Sequence, residues 1–350
     1  MRDPVTEERV REAVARALGQ QAPGVPVKRL AGHASMRSYW RVGTPPASQV
    51  VMVMPPDSRP EEVTRGAPSG EDPFVDVQRY LTALGIRVPA IRGFYTDDPR
   101  GGLVVLEDLG DEMLETLVKK GADPTPLYEE AVDQLARLRA RAERHPQGCL
   151  AFTRSFDEEL YLWELHHFRE WLLEAYKEAR LAPAERAEVD LHFGRIARAL
   201  AGEPKGFTHR DYQSRNLMVL PSGEEVVIDF QDALLGPRQY DLVALLRDSY
   251  IELESHFVEK MLRRYLARLE AEGGPGLAYL PFREVFDLVT VQRKLKDAGR
   301  FVYIDRVKKN SSFLVSIPLS LRYVKEAMAR RADLRELQEV LARHVPELAP

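Results

Sequence analysis

Cysteine is almost missing from the sequence: Cys149 is the only one in 350 residues. A disulfide framework and a cysteine-rich zinc site are therefore excluded, and a reducing, cytoplasmic setting is expected. Cys149 lies in Gly148-Cys149-Leu150 and reads as a small core residue rather than a nucleophile. Long apolar runs are missing too. None approaches the roughly 18 residues of a membrane span, so no membrane partner is expected. The opening stretch MRDPVTEERVREAVARALG interleaves charge at helical spacing where a signal peptide would be apolar. A surplus of one charge sign is the third absence. Fifty Lys and Arg face 54 Asp and Glu, a net of −4. That balance argues against a nucleic-acid partner bound by broad phosphate neutralisation, but it leaves room for a small anion in a local site.

What is present is ordinary for a folded soluble chain: 44% hydrophobic and 30% charged residues. At about 150 residues per domain, the length predicts two units. Val10, Val14 and Leu18 recur every four residues before Gly19, which predicts a helix over 5–19. Short β-type runs follow at 38–42, 49–54 and 102–106, separated by Pro- and Gly-rich connections. Between the last two, Phe74, Val77, Tyr80, Leu81 and Leu84 line one face of a helix ending at Gly85, and 58–70 reads as a surface loop. After Leu109-Gly110 the pattern turns helical, at about 126–144, 155–180, 183–201, 238–271, 281–301 and 318–345. One β-rich interruption, at about 206–236, holds two apolar runs joined by Pro221-Ser222-Gly223-Glu224, a hairpin signature. The expected organisation is α+β. A small β-rich lobe spans 1–108 and a large, mainly helical lobe spans 109–350.

The chemistry concentrates in Phe207-Thr208-His209-Arg210-Asp211-Tyr212-Gln213-Ser214-Arg215-Asn216 and the following Val226-Val227-Ile228-Asp229-Phe230. The first stretch carries H-R-D-x-x-x-x-N. In kinase-like phosphotransferases that spacing supplies an Asp that accepts the acceptor hydroxyl's proton and an Asn that holds Mg²⁺. Phosphoryl transfer asks mainly for positioning and charge neutralisation, and Mg²⁺ prefers hard oxygen ligands completed by phosphate oxygens. Asp211 is thus the expected base, and Asn216 and Asp229 the expected metal ligands. His209 and Arg210 read as braces of the loop.

Together with the N-terminal β runs, these motifs make the chain resemble the aminoglycoside phosphotransferase and choline kinase superfamily. Within it, the chain is most similar to bacterial anomeric sugar kinases acting on N-acetylmuramate and N-acetylglucosamine in cell-wall recycling. The resemblance runs through His33-Ala34-Ser35-Met36-Arg37-Ser38-Tyr39-Trp40-Arg41, Met54-Pro55-Pro56, Leu106-Glu107-Asp108-Leu109-Gly110, HRDYQSRNLMV, IDFQDALLGPRQYDLVALLRDSY and Val291-Gln292-Arg293-Lys294-Leu295-Lys296. It implies a bilobal protein-kinase-like fold, ATP and Mg²⁺ as cofactors, and a small-molecule sugar as partner; the oligomeric state stays open. It also implies a hinge at Glu107 to Leu109 whose backbone meets adenine, and a loop from His33 to Arg37 over the ATP phosphates. Asp241, with Tyr240, would have a structural role, bonding loop backbone N–H groups.

The sequence departs from the protein-kinase pattern in one respect. No lysine occurs from Arg29 to Val118, so the strand lysine that holds the ATP phosphates is absent. Arg37 is the expected replacement, with Ser35 cradling phosphate beside it, while Arg41 lies deeper and is placed to pair with a carboxylate. For the acceptor, Gln213, Gln231, Asp232 and Arg293 lie on segments that should approach the base. Trp163, His166, His167 and Trp171 share a helical face, read as core packing ahead of sugar stacking. Two alternatives stand beside the sugar kinase. One is a kinase for a cationic acceptor, with Glu158, Glu159 and Glu164 as its acidic cluster; the other is a non-catalytic nucleotide-binding protein.

Overall fold

The computed structural model describes residues 4–19, 24–30, 37–54, 72–96 and 101–350. The expected surface loop at 58–70 lies outside them, as does Ser35. The chain forms two compact units. One comprises residues 1–112 with 218–228, the other 113–217 with 229–350.

The first unit is built on a five-stranded antiparallel sheet. Its strands are β1 (Val27–Arg29), β2 (Ser38–Val42), β3 (Gln49–Val53), β4 (Ile91–Tyr95) and β5 (Leu103–Glu107), in spatial order β1-β2-β3-β5-β4. Trp40 pairs with Val51 and Val51 with Val105 across the central strands. These alternate side chains, with Val42 and Leu103, pack against Val10, Ala13 and Val14 of helix α1 (Pro4–Leu18). The sequence signal missed β1, which is three residues long, and β4, where Gly93 and a register shift beside it break the alternation. Helix α2 (Pro73–Ala83) starts where the Asp72 side chain accepts from the Phe74 N–H at 2.8 Å, with Pro73 at the first position. It stops at Gly85, whose φ of +69° suits glycine.

The hairpin of β7 (Leu217–Val219) and β8 (Glu225–Val227) forms around the expected turn. Its residues 218–228 pack with the first unit. The Val219 N–H donates to the Glu112 carbonyl and the Val227 N–H to that of Arg87, both at 2.9 Å.

The second unit is helical around one small ladder, β6 (Lys205–Thr208) with β9 (Leu234–Pro237). Its helices are α3 (Leu114–Lys119), α4 (Pro124–Arg144), α5 (Glu158–His167), α6 (Pro183–Ala201), α7 (Gln239–Leu246), α8 (Ser255–Ala271), α9 (Tyr279–Lys308), α10 (Ile317–Ala329) and α11 (Arg335–Ala342). Cys149 is buried, as expected, at the start of a short 3₁₀ turn over Leu150–Thr153.

Four expected helices differ. The single helix over 238–271 is two, α7 and α8, because the chain leaves the helix at Arg247. There Asp248 bonds the Ser214 and Tyr250 backbone N–H groups instead of facing solvent. The helix over 155–180 widens after His167 into a π-helix, Phe168–Tyr176. The helix over 318–345 is interrupted by a 3₁₀ turn at Ala332–Leu334. Helix α9 runs past the expected end to Lys308. It approaches α5 so closely that a Cβ on Gly299 would stand 2.6 Å from the His167 carbonyl oxygen and 2.7 Å from the Phe168 Cα.

Candidate active site

The loop between β6 and β7 carries Asp211 in the second unit. Two of its backbone N–H groups are taken by one buried carboxylate: those of His209 and Arg210 donate to Asp241 at 2.7 and 2.9 Å. Asp241 reaches them from the first turn of α7, the role expected of it. Arg210 adopts φ +80°, a costly conformation for a residue with a Cβ. Asp241 and a buried ion pair from Arg210 to Glu164 (3.3 Å) hold it there. Glu164 also accepts from Gln292 at 2.8 Å, so α5, α9 and the loop meet at one carboxylate. Further along, Ser214 is held by Asp248 through both its N–H and its hydroxyl.

Asp211 keeps 37% of its side chain exposed. Arg293 of α9 donates to one of its carboxylate oxygens at 3.0 Å and to the Arg210 carbonyl at 2.7 Å. Burial alone would raise the Asp211 carboxyl. The charges of Arg293, Lys296 and Arg210 outweigh it and bring the carboxyl down to about 2. Asp211 is therefore ionised at neutral pH, as a proton acceptor must be.

Asn216 and Asp229 stand side by side. The Asn216 amide N–H₂ donates to the Asp211 carbonyl at 2.8 Å and contacts an Asp229 oxygen at 3.4 Å, so its carbonyl oxygen remains an acceptor. Asp229 lies just past β8 with φ +64°. Among the described residues no cluster of three or more His, Cys, Asp or Glu is placed to hold a metal. One amide oxygen and one carboxylate are the donor set that suits a hard divalent ion completed by phosphate oxygens. The residues present fit Mg²⁺.

The expected acceptor residues scatter. Arg293 meets Asp211. Gln231 spends its amide on Asp229 (2.9 Å) and Asp232 (3.1 Å), which makes it a brace of Asp229. Gln213 and Asp232 are partly exposed. The aromatic face divides. Trp163, His167 and Trp171 group with Tyr303, whereas His166 turns to Asp190 on α6 at 3.4 Å. Trp163, 42% exposed, is not a core residue.

In the first unit Arg41 takes the carboxylate-pairing role. It bonds Asp108 at 2.6 and 2.9 Å, Asp111 at 2.9 Å and the Gly110 carbonyl at 3.1 Å, and Ser48 adds a 2.6 Å bond to Asp108. Glu107 ends β5, with its N–H given to the Ala90 carbonyl at 2.9 Å and its carboxylate paired with Arg87. Of the expected hinge contacts, the Glu107 N–H is therefore already used. Leu109 is buried beside it. Arg37 is half-buried in the segment before β2.

Sequence reasoning gave Glu164 only as part of an acidic cluster for a cationic acceptor and Lys294 and Lys296 only as part of a matching segment, and it overlooked Asp248 and Asp297. Lys294, Lys296 and Asp297 lie within the stretch Gln292 to Asp297, where three cations and one carboxylate surround Leu295.

A helical unit that carries the ionised Asp211 near Asn216 and Asp229, with a separate unit built on a five-stranded sheet, has the make-up of a kinase-like phosphotransferase. Residues 26–279 match the phosphotransferase enzyme family, and the chain belongs to it. The N-acetylmuramate/N-acetylglucosamine kinases of Pseudomonas aeruginosa and Neisseria meningitidis serogroup B are 34% and 33% identical to it. Those alignments span 88% and 89% of this chain and 86% and 88% of the two relatives. The choline kinase of Streptococcus pneumoniae superposes with a TM-score of 0.59 at 17% identity, over 93% of this chain and 99% of its own, a likeness of fold. The protein is thus a kinase of α+β, protein-kinase-like fold. No helix among the described residues is long and apolar enough to cross a membrane.

Proposed function

We propose that this kinase transfers the γ-phosphoryl group of ATP to the anomeric hydroxyl of N-acetylmuramate or N-acetylglucosamine, a reaction of cell-wall sugar recycling in the cytoplasm. The observation that carries the acceptor class is the charge around the base: Asp211 is flanked by Arg293, Lys296 and Arg210. A cationic acceptor such as choline or an aminoglycoside would need carboxylates there. Glu164 is already committed to Arg210 and Gln292, Glu158 pairs with Arg198 at 3.3 Å, and Glu159 is exposed at the start of α5. A neutral or anionic sugar suits the surroundings better. The hemiacetal hydroxyl is also more acidic than an ordinary alcohol, which suits a base whose carboxyl lies near 2.

In this reading Asp211 accepts the hydroxyl proton through the oxygen that Arg293 leaves free. Asn216 and Asp229 would hold Mg²⁺, which neutralises phosphate charge when bound. Gln231 keeps Asp229 in place. Gln213 and Asp232 face the sugar, and Arg37 with Ser35 meets the ATP phosphates. The backbone at Leu109, beside Glu107, meets adenine.

The test is ATP turnover with N-acetylmuramate, N-acetylglucosamine, choline and an aminoglycoside, followed by acid treatment of the product. Turnover of the two amino sugars to an acid-labile phosphate is expected. An acid-stable sugar phosphate would rule out the anomeric position, and turnover of choline alone would rule out the sugar.

A further inference from the structure

Lys296 helps to hold the Asp211 carboxyl down, but the reaction as described gives its ammonium no ligand. It lies three residues beyond Arg293 on α9, so both side chains share one helical face. Its side chain is only 15% exposed, and its ion-pair partner among the described residues is Asp297, at 3.2 Å. That carboxylate is shared. Lys294 is closer to it, at 2.8 Å, and Arg293 stands 3.9 Å away. The two rivals have further partners: Lys294 donates to the Ser249 hydroxyl at 3.0 Å, and Arg293 to Asp211 and the Arg210 carbonyl. Lys296 completes no hydrogen bond to a described residue. An ammonium carries three donors and is strongly hydrated, so holding it nearly out of water with a part share of one carboxylate is unfavourable unless another anion arrives.

Its surroundings indicate where that anion would sit. Lys296 acts electrostatically on Asp211, Tyr240 and Glu164. Glu164 is satisfied by Arg210 and Gln292, and Asp211 by Arg293. The ammonium is therefore available to a ligand whose reacting hydroxyl is at Asp211.

We propose that Lys296 binds the lactyl carboxylate of N-acetylmuramate and is the residue that recognises this acid in preference to neutral N-acetylglucosamine. The assignment rests on the amino-sugar reading above. On N-acetylmuramate the carboxylate arm and the anomeric hydroxyl project from the same pyranose ring. Three residues of α9 give about 4.5 Å of rise between Arg293 and Lys296, the scale of one such ring. One helical face thus presents one cation to the base and the next to the acid arm.

Steady-state kinetics of the full chain with both sugars tests the assignment. Lys296→Met is expected to raise KM for N-acetylmuramate about 10-fold or more beyond any change in KM for N-acetylglucosamine, while any loss of kcat through the weaker positive charge at Asp211 is shared by the two sugars. Lys296→Arg should recover most of the loss. An equal change in KM for both sugars, or a fall in kcat with KM for N-acetylmuramate unaltered, would place Lys296 at the transferring phosphoryl group or in support of the loop and overturn the proposal; unchanged kinetics would do the same. A measurement on the unaltered protein guards against a misfolded variant: the neutral lactyl amide of N-acetylmuramate should show the same rise in KM, and equal KM for acid and amide overturns the assignment. If the unaltered protein phosphorylates neither sugar, the amino-sugar reading fails first and the Lys296 assignment falls with it.

Discussion

With one Asp211 oxygen held by Arg293 and the loop N–H groups held by Asp241, Asp211, the base we propose, is fixed from two helices at once. Asp211→Asn keeps those contacts and removes the proton acceptor. Nucleotide binding by calorimetry should be unchanged while kcat falls by about 10²–10⁴-fold. Because the three surrounding cations hold the Asp211 carboxyl near 2 against the opposing effect of burial, the base stays ionised in mild acid. At saturating Mg²⁺ and nucleotide, kcat/KM for the sugar should vary by less than about twofold between roughly pH 6 and 8. An acid limb in that interval that vanishes in Asp211→Glu would contradict this. Asp229→Ala should abolish Mg²⁺-dependent nucleotide binding, read by the same calorimetry with and without the ion. Asp241→Ala would strand two buried N–H donors and lower unfolding stability by roughly 2–5 kcal/mol in urea titration. At this scale the sequence is most readable where the proposed site is local. Asp211, Asn216 and Asp229 fall within 19 residues, and Asp241 follows closely. The place of Lys296 near Asp211 and the bond from Ser214 to Asp248 were not legible, because both depend on how distant segments pack against the loop.

Most individual elements could be read from periodicity and capping, and the departures have physical causes. Nothing between Leu246 and Ser255 is a Gly or Pro, so no local stop separates α7 from α8. The break is set by Asp248 reaching Ser214, a tertiary bond. The π-helix after His167 is equally silent in composition. Gly299 is instructive for the opposite reason. Within a 30-residue helix, Gly→Ala normally gains about 1 kcal/mol. Here the new Cβ would press on His167 and Phe168 backbone atoms closer than 3.0 Å. Gly299→Ala should therefore be net destabilising, by roughly 1–3 kcal/mol, and a stabilised variant in urea unfolding would show that α5 and α9 give way easily.

Across the whole chain, the change in pattern near residue 110 lies beside the first boundary between the two compact units, after residue 112. The placement of hairpin 218–228 with the first unit was not, since it depends on backbone bonds to Glu112 and Arg87. The first unit also sets an acid sensitivity. Burial opposes ionisation of Asp108 and Glu107, yet hydrogen bonds from Arg41 and Ser48 to Asp108, and from Arg87 to Glu107, hold both carboxyls below the ordinary range. A folded-state value below the unfolded one contributes stability at neutral pH that is lost as pH falls through the folded value. Melting temperature should thus drop on acidification below about pH 5, and Asp108→Asn should flatten that slope while lowering the plateau. The buried Cys149 has a practical side. A lone thiol at the edge of the helical unit can react with a maleimide or disulfide reagent only when the structure around it opens. Its labelling rate is then a clock for opening of that unit, one that bound nucleotide or sugar should slow without any engineered probe.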